Sequence, residues 1–350
     1  MPQLDAAKLA ALKNLLKKNK LDGFVISDFH DFKYFFGGAI LGENEAVLLA
    51  HTKGLYVAAR SLYADVFNAK FPQIKTDGCD YDRAAKIVET AKKLGIRNMG
   101  FDGTKELYGA GKAYAKAGFK EIPGFIDALR VAKTSEEIAI MKDSAKILYG
   151  ALKYIRKFLK PGVSEYQIAR LLEDYMFNKG ASGTSFPTIV AFGVNTFDPH
   201  YRGGGAKLKN NMPVMIDFGC IYKGYCSDIT RTFWYGSSPS AEFEKILKTV
   251  KEAHDKAVKE TKYGMSGAQI DSIARNHIEA AGYGKYFTHR TGHGIGLQDH
   301  EAADISQLNK EKIGLNYCFS IEPGIYLPGK FGARYEDCFC MTKKGMKRLG

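Results

Sequence analysis

From the start of the chain to about residue 128, short apolar runs alternate with helical stretches. GFVIS (23–27), AVLLA (46–50), GLYVAA (54–59) and NMGFD (98–102) have strand length and strand composition, while helical periodicity covers 81–94 and 104–117. Ahead of them, Leu9, Leu12, Leu15 and Leu16 share one face of an amphipathic helix. This rhythm predicts an α/β domain over 1–128 with a largely covered sheet. The stretch holds neither a G-x-G-x-x-G between strand and helix nor a Walker lysine, which argues against a nucleotide site. Dimerisation or shaping a cleft is the role expected of it.

The pattern changes at 129. A long helix is predicted from Thr134, where T-S-E-E makes a capping box with Glu137. Ile138, Met141, Ala145, Leu148, Leu152, Ile155 and Leu159 form its buried stripe, and Pro161-Gly162 stops it. A second box, Ser164 to Gln167, opens a helix ending at Gly180. The same arrangement returns at an offset of 102 residues (266 − 164), superposing Gly162 on Gly264, Ser164 on Ser266, Gln167 on Gln269, Ile168 on Ile270 and Gly180 on Gly282. The match predicts an internal duplication over 129–350; coincidence of helix caps is the alternative.

Acids follow each copy. VMIDFG carries Asp217 and CFSIEPG carries Glu322; a second acid trails each, Asp228 after 11 residues (228 − 217) and Glu336 after 14 (336 − 322). Halves packed about a pseudo-twofold axis would bring these four carboxylates together. TGHGIGLQDHE (291–301) adds His293, set between glycines that let the backbone crowd whatever its ring holds. Carboxylates inside apolar strands are costly unless compensated. Four carboxylates and one imidazole make a hard ligand set suited to two divalent ions such as Mn²⁺, Co²⁺ or Fe²⁺, which could share a hydroxide for neutral-pH hydrolysis. The alternative is that the acids pair with Arg231, Arg290 and Arg334.

Composition narrows the partners. With 45% hydrophobic and 25% charged residues, the chain falls outside the collagen-like, disordered and disulfide-scaffold classes. Its 51 Lys and Arg against 38 Asp and Glu give a net charge of +13, but the lysines are spread over many helix faces, so a solvated basic surface is expected and a nucleic-acid partner is not. No run approaches the ~18 apolar residues of a membrane span, and no apolar core precedes a small-residue cleavage site near the start, so a cytoplasmic protein is expected. The 6 cysteines show no C-x-x-C pairing, and reduced, buried thiols are expected.

At these residues the chain resembles the pita-bread metallopeptidases, the family of Xaa-Pro dipeptidase (prolidase), Xaa-Pro aminopeptidase and methionine aminopeptidase. The matching pieces are L-R-V-A-K-T-S-E-E-I (129–138), F-P-T-I-V-A-F-G-V-N (186–195), P-H-Y (199–201), I-D-F-G, S-D-I-T-R-T, G-H-G-I-G-L-x-x-H-E, I-E-P-G and R-Y-E-D. The resemblance implies an α/β N-terminal domain over 1–128 and, over 129–350, an α+β pita-bread catalytic domain with an internally duplicated, pseudo-twofold antiparallel sheet. It further implies two metal ions, with Mn²⁺ foremost and Co²⁺, Fe²⁺ or Zn²⁺ as alternatives. Asp217 would chelate one ion, Asp228 and Glu336 would bridge both, and His293 with Glu322 would hold the second. His200 and His300 would face the substrate, Glu322 would also shuttle a proton, and His289 would orient the His293 loop.

The N-terminal domain sets the chain apart from methionine aminopeptidase, and the intact acid set sets it apart from creatine amidinohydrolase. The resemblance thus implies a homodimeric exopeptidase cutting after the residue that precedes proline in dipeptides or short peptides. Arg334 and Asp304 are candidate substrate-facing residues. Prolidases commonly carry H-E-x-P-R, whereas here H-E-A-A-D (300–304) puts Asp304 where the arginine would meet a dipeptide's carboxylate. A pita-bread protein that binds nucleic acid or another protein without metal is the alternative reading.

Overall fold

The computed structural model describes residues 4–37 and 42–350; Met1 to Gln3 of the amphipathic N-terminal stretch lie outside them. The chain divides into two compact units, Met1–Arg130 and Val131–Gly350.

The first unit is built on a six-stranded sheet in the order Lys75–Gly78, Gly54–Ala59, Ala46–His51, Gly23–Ile26, Met99–Phe101, Lys120–Glu121. Ala46–His51 runs antiparallel to both neighbours and the remaining pairs are parallel. Gly23–Ile26 and Ala46–His51 are buried along their whole length, as continuous apolar runs covered on both faces are. Two helices carry no clear sequence signal, Phe29–Phe36 and Ser61–Lys70. Phe32, Phe36, Phe67 and Phe71 stack between them, so tertiary packing decides what periodicity did not. The helix expected from 104 begins at Tyr108, because the Asp102 carboxylate takes the Thr104 N–H and hydroxyl and holds a turn there.

In the second unit the first long helix is Ser135–Ile155, with the Thr134–Glu137 box formed. It ends before Leu159, since Phe158 N–H turns back to the Ile155 carbonyl. The helix pair Ser135–Ile155 and Glu165–Asn178 is repeated by Ala241–Glu260 and Gly267–Ala280. Both later caps form as boxes, Ser164–Gln167 and Ser266–Gln269. Equivalent glycines adopt the same left-handed backbone, with φ of +90° at Gly162 and +86° at Gly264, +92° at Gly180 and +87° at Gly282. Ser164 bridges Lys207 and Ser266 bridges Lys312, so the repeat extends to the loops.

Each helix pair covers its own antiparallel sheet. Ile168, Leu172 and Met176 share a core with Val190, Val214, Ile216 and Phe218; Ile270, Ala274 and Ile278 share another with Ile305, Phe319, Ile321 and Phe339. At roughly 1.5–3 kcal/mol per buried side chain, these cores fix the sheets. The first sheet orders Ile229–Tyr235, Met212–Phe218, Ile189–Phe192; the second orders Glu301–Ile305, Gly292–Gly294, Cys318–Ile321, Asp337–Thr342, Gly345–Arg348. They meet through an antiparallel bridge between Thr230 and Glu336. Among the described residues no helix is long and apolar enough to cross a membrane. Cys79 is half-buried and Cys220, Cys318, Cys338 and Cys340 are buried.

Candidate active site

The four acids lie at strand ends beside the Thr230–Glu336 bridge. Asp217 is the penultimate residue of Met212–Phe218, Asp228 immediately precedes Ile229–Tyr235, Glu322 follows Cys318–Ile321, and Glu336 precedes Asp337–Thr342. His293 is the middle residue of Gly292–Gly294. Its neighbours must be glycine: a Cβ at Gly292 would stand 1.9 Å from the Ser320 carbonyl oxygen, and one at Gly294 would stand 1.7 Å from that of Ala302. The sequence reads these glycines as room for close backbone approach, and what they admit is the backbone of the neighbouring strands.

His293 Nε2 lies 3.6 Å from Asp228 Oδ2 and 3.4 Å from Glu322 Oε1. Asp228, His293 and Glu336 each offer a ligand atom within 4.8 Å of the others. Glu336 Oε2 accepts the Thr230 hydroxyl at 2.7 Å, and Asp217 Oδ2 accepts a short bond from Arg334 Nη2. Their other oxygens, Asp217 Oδ1 and Glu336 Oε1, are buried with no hydrogen-bond partner, as is Asp228 Oδ1.

Electrostatics sharpens the conflict. Burial, with Glu336 and Asp217 adding to it, pushes the Asp228 carboxyl well above the usual range. Burial and the Glu322 charge do the same to Glu336. Burial lowers His293 to about 4, so its ring is neutral at pH 7. Its Nδ1 sits 3.1 Å from the Gly294 carbonyl, which can only accept, so the proton is on Nδ1. Nε2 then turns a lone pair toward two carboxylates, an arrangement a cation makes attractive. The orphaned oxygens and the carboxylate-imidazole donor set fit divalent first-row metal ions.

The arginines account for one acid in this cluster. Arg334 takes Asp217, whereas Arg231 pairs with Asp337 at 2.7 Å and Arg290 with Asp304 at 2.9 Å.

A cavity of about 340 Å³ opens onto the five residues and is also lined by His200, His289, His300, Arg202, Arg290 and Arg334, with Phe186, Pro187, Ile189 and Tyr201 as apolar wall. The His300 ring stacks obliquely on His293, centroids 4.0 Å apart, and its Nδ1 lies 3.1 Å from Arg290 Nη2. Burial first and His293 second lower His300 to about 4. His289 gives its Nδ1–H to the Arg290 carbonyl (2.7 Å), which leaves Nε2 to accept the Tyr326 hydroxyl at 2.9 Å. Burial holds this ring near 4 as well. Arg334 Nη1 donates to the same Tyr326 oxygen at 2.7 Å, so His289, Tyr326, Arg334 and Asp217 form one chain.

Asp304 stands apart from the other candidate residues. It does not line the cavity: one oxygen takes Arg290 and the other a short bond from the Ser306 hydroxyl. Its carboxylate is held by Arg290, and it is Arg290 that lines the cavity. Sequence reasoning also passed over Tyr326, Thr230 and Ser320, whose Oγ lies 3.1 Å from His293 N and 3.4 Å from Glu322 Oε1. Each reads as ordinary strand composition, and nothing in its spacing marks it.

A model of metallopeptidase family M24 matches residues 139–343, more than half of the chain. The chain belongs to metallopeptidase family M24. Among similar proteins, "Uncharacterized peptidase YqhT" from Bacillus subtilis is 34% identical over 348 residues, covering 98% of this chain and 97% of that protein. Among solved structures, Xaa-Pro dipeptidase from Bacillus anthracis superposes with a TM-score of 0.90 at 32% identity, covering 98% of this chain and 96% of its own. X-Pro aminopeptidase from Thermotoga maritima gives 0.88 at 31% identity, covering 97% and 96%. The fold is the pita-bread fold of M24 enzymes, and the protein is a metallopeptidase.

Proposed function

We propose that this M24 enzyme holds two divalent ions, Mn²⁺ foremost, and hydrolyses the bond between an N-terminal residue and a following proline in dipeptides or short peptides. The observation that carries this reading is the set of three orphaned carboxylate oxygens beside the Nε2 lone pair of His293. Asp217 would hold one ion, Asp228 and Glu336 would be shared by both, and His293 with Glu322 would hold the other. Such ions, when bound, activate water at neutral pH and polarise a carbonyl. The proline preference rests on the names carried by the dipeptidase and aminopeptidase structures above. The enzyme works as a cytoplasmic homodimer in this reading. A metal-free binding protein would leave the acid oxygens unsatisfied, so that alternative is not favoured.

The chain's own groups then divide the work. Glu322, within 3.4 Å of His293 Nε2 and lining the cavity, takes a proton from the attacking water and returns it to the leaving nitrogen. His200 and His300 line the cavity as N–H donors to the oxygen on which charge develops. Replacing either by Ala leaves metal content near wild type and lowers kcat by about 10² to 10³. Metal analysis beside a His293→Ala control checks this; loss of metal equal to that control makes them ligands and defeats the assignment.

Arg290, paired with Asp304 outside the lining, lines the cavity and is suited to meeting a dipeptide's carboxylate. The test of the reading is a substrate screen on metal-loaded enzyme, comparing Ala-Pro with Ala-Pro-Ala. Both are cut, and Arg290→Ala lowers kcat/KM for Ala-Pro about 10-fold or more through KM, the worth of a charged hydrogen bond. Ala-Pro-Ala, which presents an amide there, changes less. Failure to cut any Xaa-Pro peptide sinks the proposed specificity, and equal loss on both peptides removes Arg290 from it.

A further inference from the structure

Two thiols of the five-stranded sheet stand outside the chemistry above. Cys318 and Cys340 are direct partners across the antiparallel strands Cys318–Ile321 and Asp337–Thr342. The backbone shows which kind of pair they make. Met341 N–H donates to the Tyr317 carbonyl at 2.9 Å, so the ladder bonds flank the two cysteines instead of joining them. A pair of that kind has its Cα atoms about 4.5 Å apart and its side chains at their closest. That is inside the separation of roughly 4.4 to 6.8 Å that a disulfide spans. Both thiols are free, and they interact with each other.

The two are not equivalent. Hydrogen bonding from Cys318, reinforced by the charges of Lys142, Lys133 and Lys347, lowers the Cys340 thiol. Lys347 is its cross-strand neighbour on the other side. Hydrogen bonding to Cys340, together with burial, pushes Cys318 well up. Cys340, opposite Lys347 and the less buried of the two, is the sulfur placed to attack, and Cys318 is the resolving thiol. At 4% and 0% exposure neither admits a bulky disulfide reagent, which leaves a small oxidant.

We propose that Cys318 and Cys340 form a redox-modification site that closes to a cross-strand disulfide when the protein meets hydrogen peroxide. The Cys340 thiolate attacks one peroxide oxygen and the O–O bond breaks. Hydroxide leaves, takes up a proton as water, and Cys340 becomes a sulfenic acid. The Cys318 sulfur then displaces the sulfenic hydroxyl, which leaves as water with the Cys318 proton. Two thiols lose two electrons and the peroxide is reduced to two waters. The bond ties together the strands that lead to Glu322 and from Glu336, and it fixes Cys318, whose carbonyl holds Ile295 N–H at 3.0 Å, two residues past His293.

The test treats the purified enzyme with hydrogen peroxide, then unfolds it, alkylates remaining thiols and maps peptides without reduction. The expected product is a linked pair containing Cys318 and Cys340, lighter by two hydrogens and cleaved by dithiothreitol. The oxidised enzyme melts at least about 3 °C higher than the reduced one, a gain that reductant reverses. Cys318→Ala lacks both the linkage and the shift. Because mapping of the wild-type protein decides the matter, a poorly folding variant does not protect the proposal. Absence of the linked peptide overturns it, as does Cys340 passing to sulfinic acid while Cys318 stays alkylatable.

Discussion

Replacing Asp228 by Asn abolishes metal binding and lowers kcat/KM on an Xaa-Pro peptide by more than about 10³-fold, the scale on which loss of a central catalytic group registers. The substitution keeps the volume and removes the charge. Asp228 is buried, one oxygen has no partner and the other faces His293. The stability of the metal-free protein moves the opposite way. Because the folded carboxyl sits well above its unfolded value, the folded state holds the proton longer. Its contribution to stability is complete below the ordinary carboxylate range and is lost as pH rises through the raised folded pKa. Metal-free wild type therefore melts lower at pH 8 than at pH 5, and metal-free Asp228→Asn melts higher than wild type at pH 8. Added metal restores the wild type by linkage. Metal analysis and calorimetry check both halves, and an Asn variant that binds and hydrolyses as wild type does refutes the assignment.

Arg334→Met destabilises the fold by about 3–5 kcal/mol, because breaking a buried ion pair strands the remaining charge. Arg334 is 3% exposed and its guanidinium commits every nitrogen: Nη2 to Asp217, Nε to Thr230 Oγ1 at 3.0 Å, Nη1 to the Tyr326 hydroxyl and to the Pro199 carbonyl at 3.2 Å. A loss of that size lowers Tm by roughly 10 °C in a protein of this class. Adding Asp217→Asn removes the stranded charge, so the double variant recovers part of the loss. A single variant that melts with the wild type shows the pair to be dispensable.

How much of this was legible depends on whether the signal is local. The capping boxes at Thr134, Ser164 and Ser266 are written in four residues each, and all three form. The acids could be found because a charge inside an apolar run is anomalous wherever the run folds. The helix Phe29–Phe36 escaped because its aromatic residues are buried on most sides and leave no clean stripe. Tyr326 escaped for a related reason: a tyrosine in a strand is unremarkable until Arg334 and His289 arrive from elsewhere. For Asp304, sequence position gives the place in the loop, but not the pairing with Arg290, fourteen residues away.

The division of the acids between the two copies has a consequence for the order of events in folding. Asp217 and Asp228 lie in or beside strands of the first sheet and Glu322 and Glu336 beside strands of the second, and the Thr230–Glu336 bridge that unites them is a long-range contact. Contacts of that kind form late, after the loop entropy between the copies has been overcome. On the proposed ligand set, a cation therefore does not template the first half as it emerges, because half the donors do not yet exist. Metal capture comes after the topology is complete, so its rate reports on the closing of the seam and not on collapse of either helix-covered sheet.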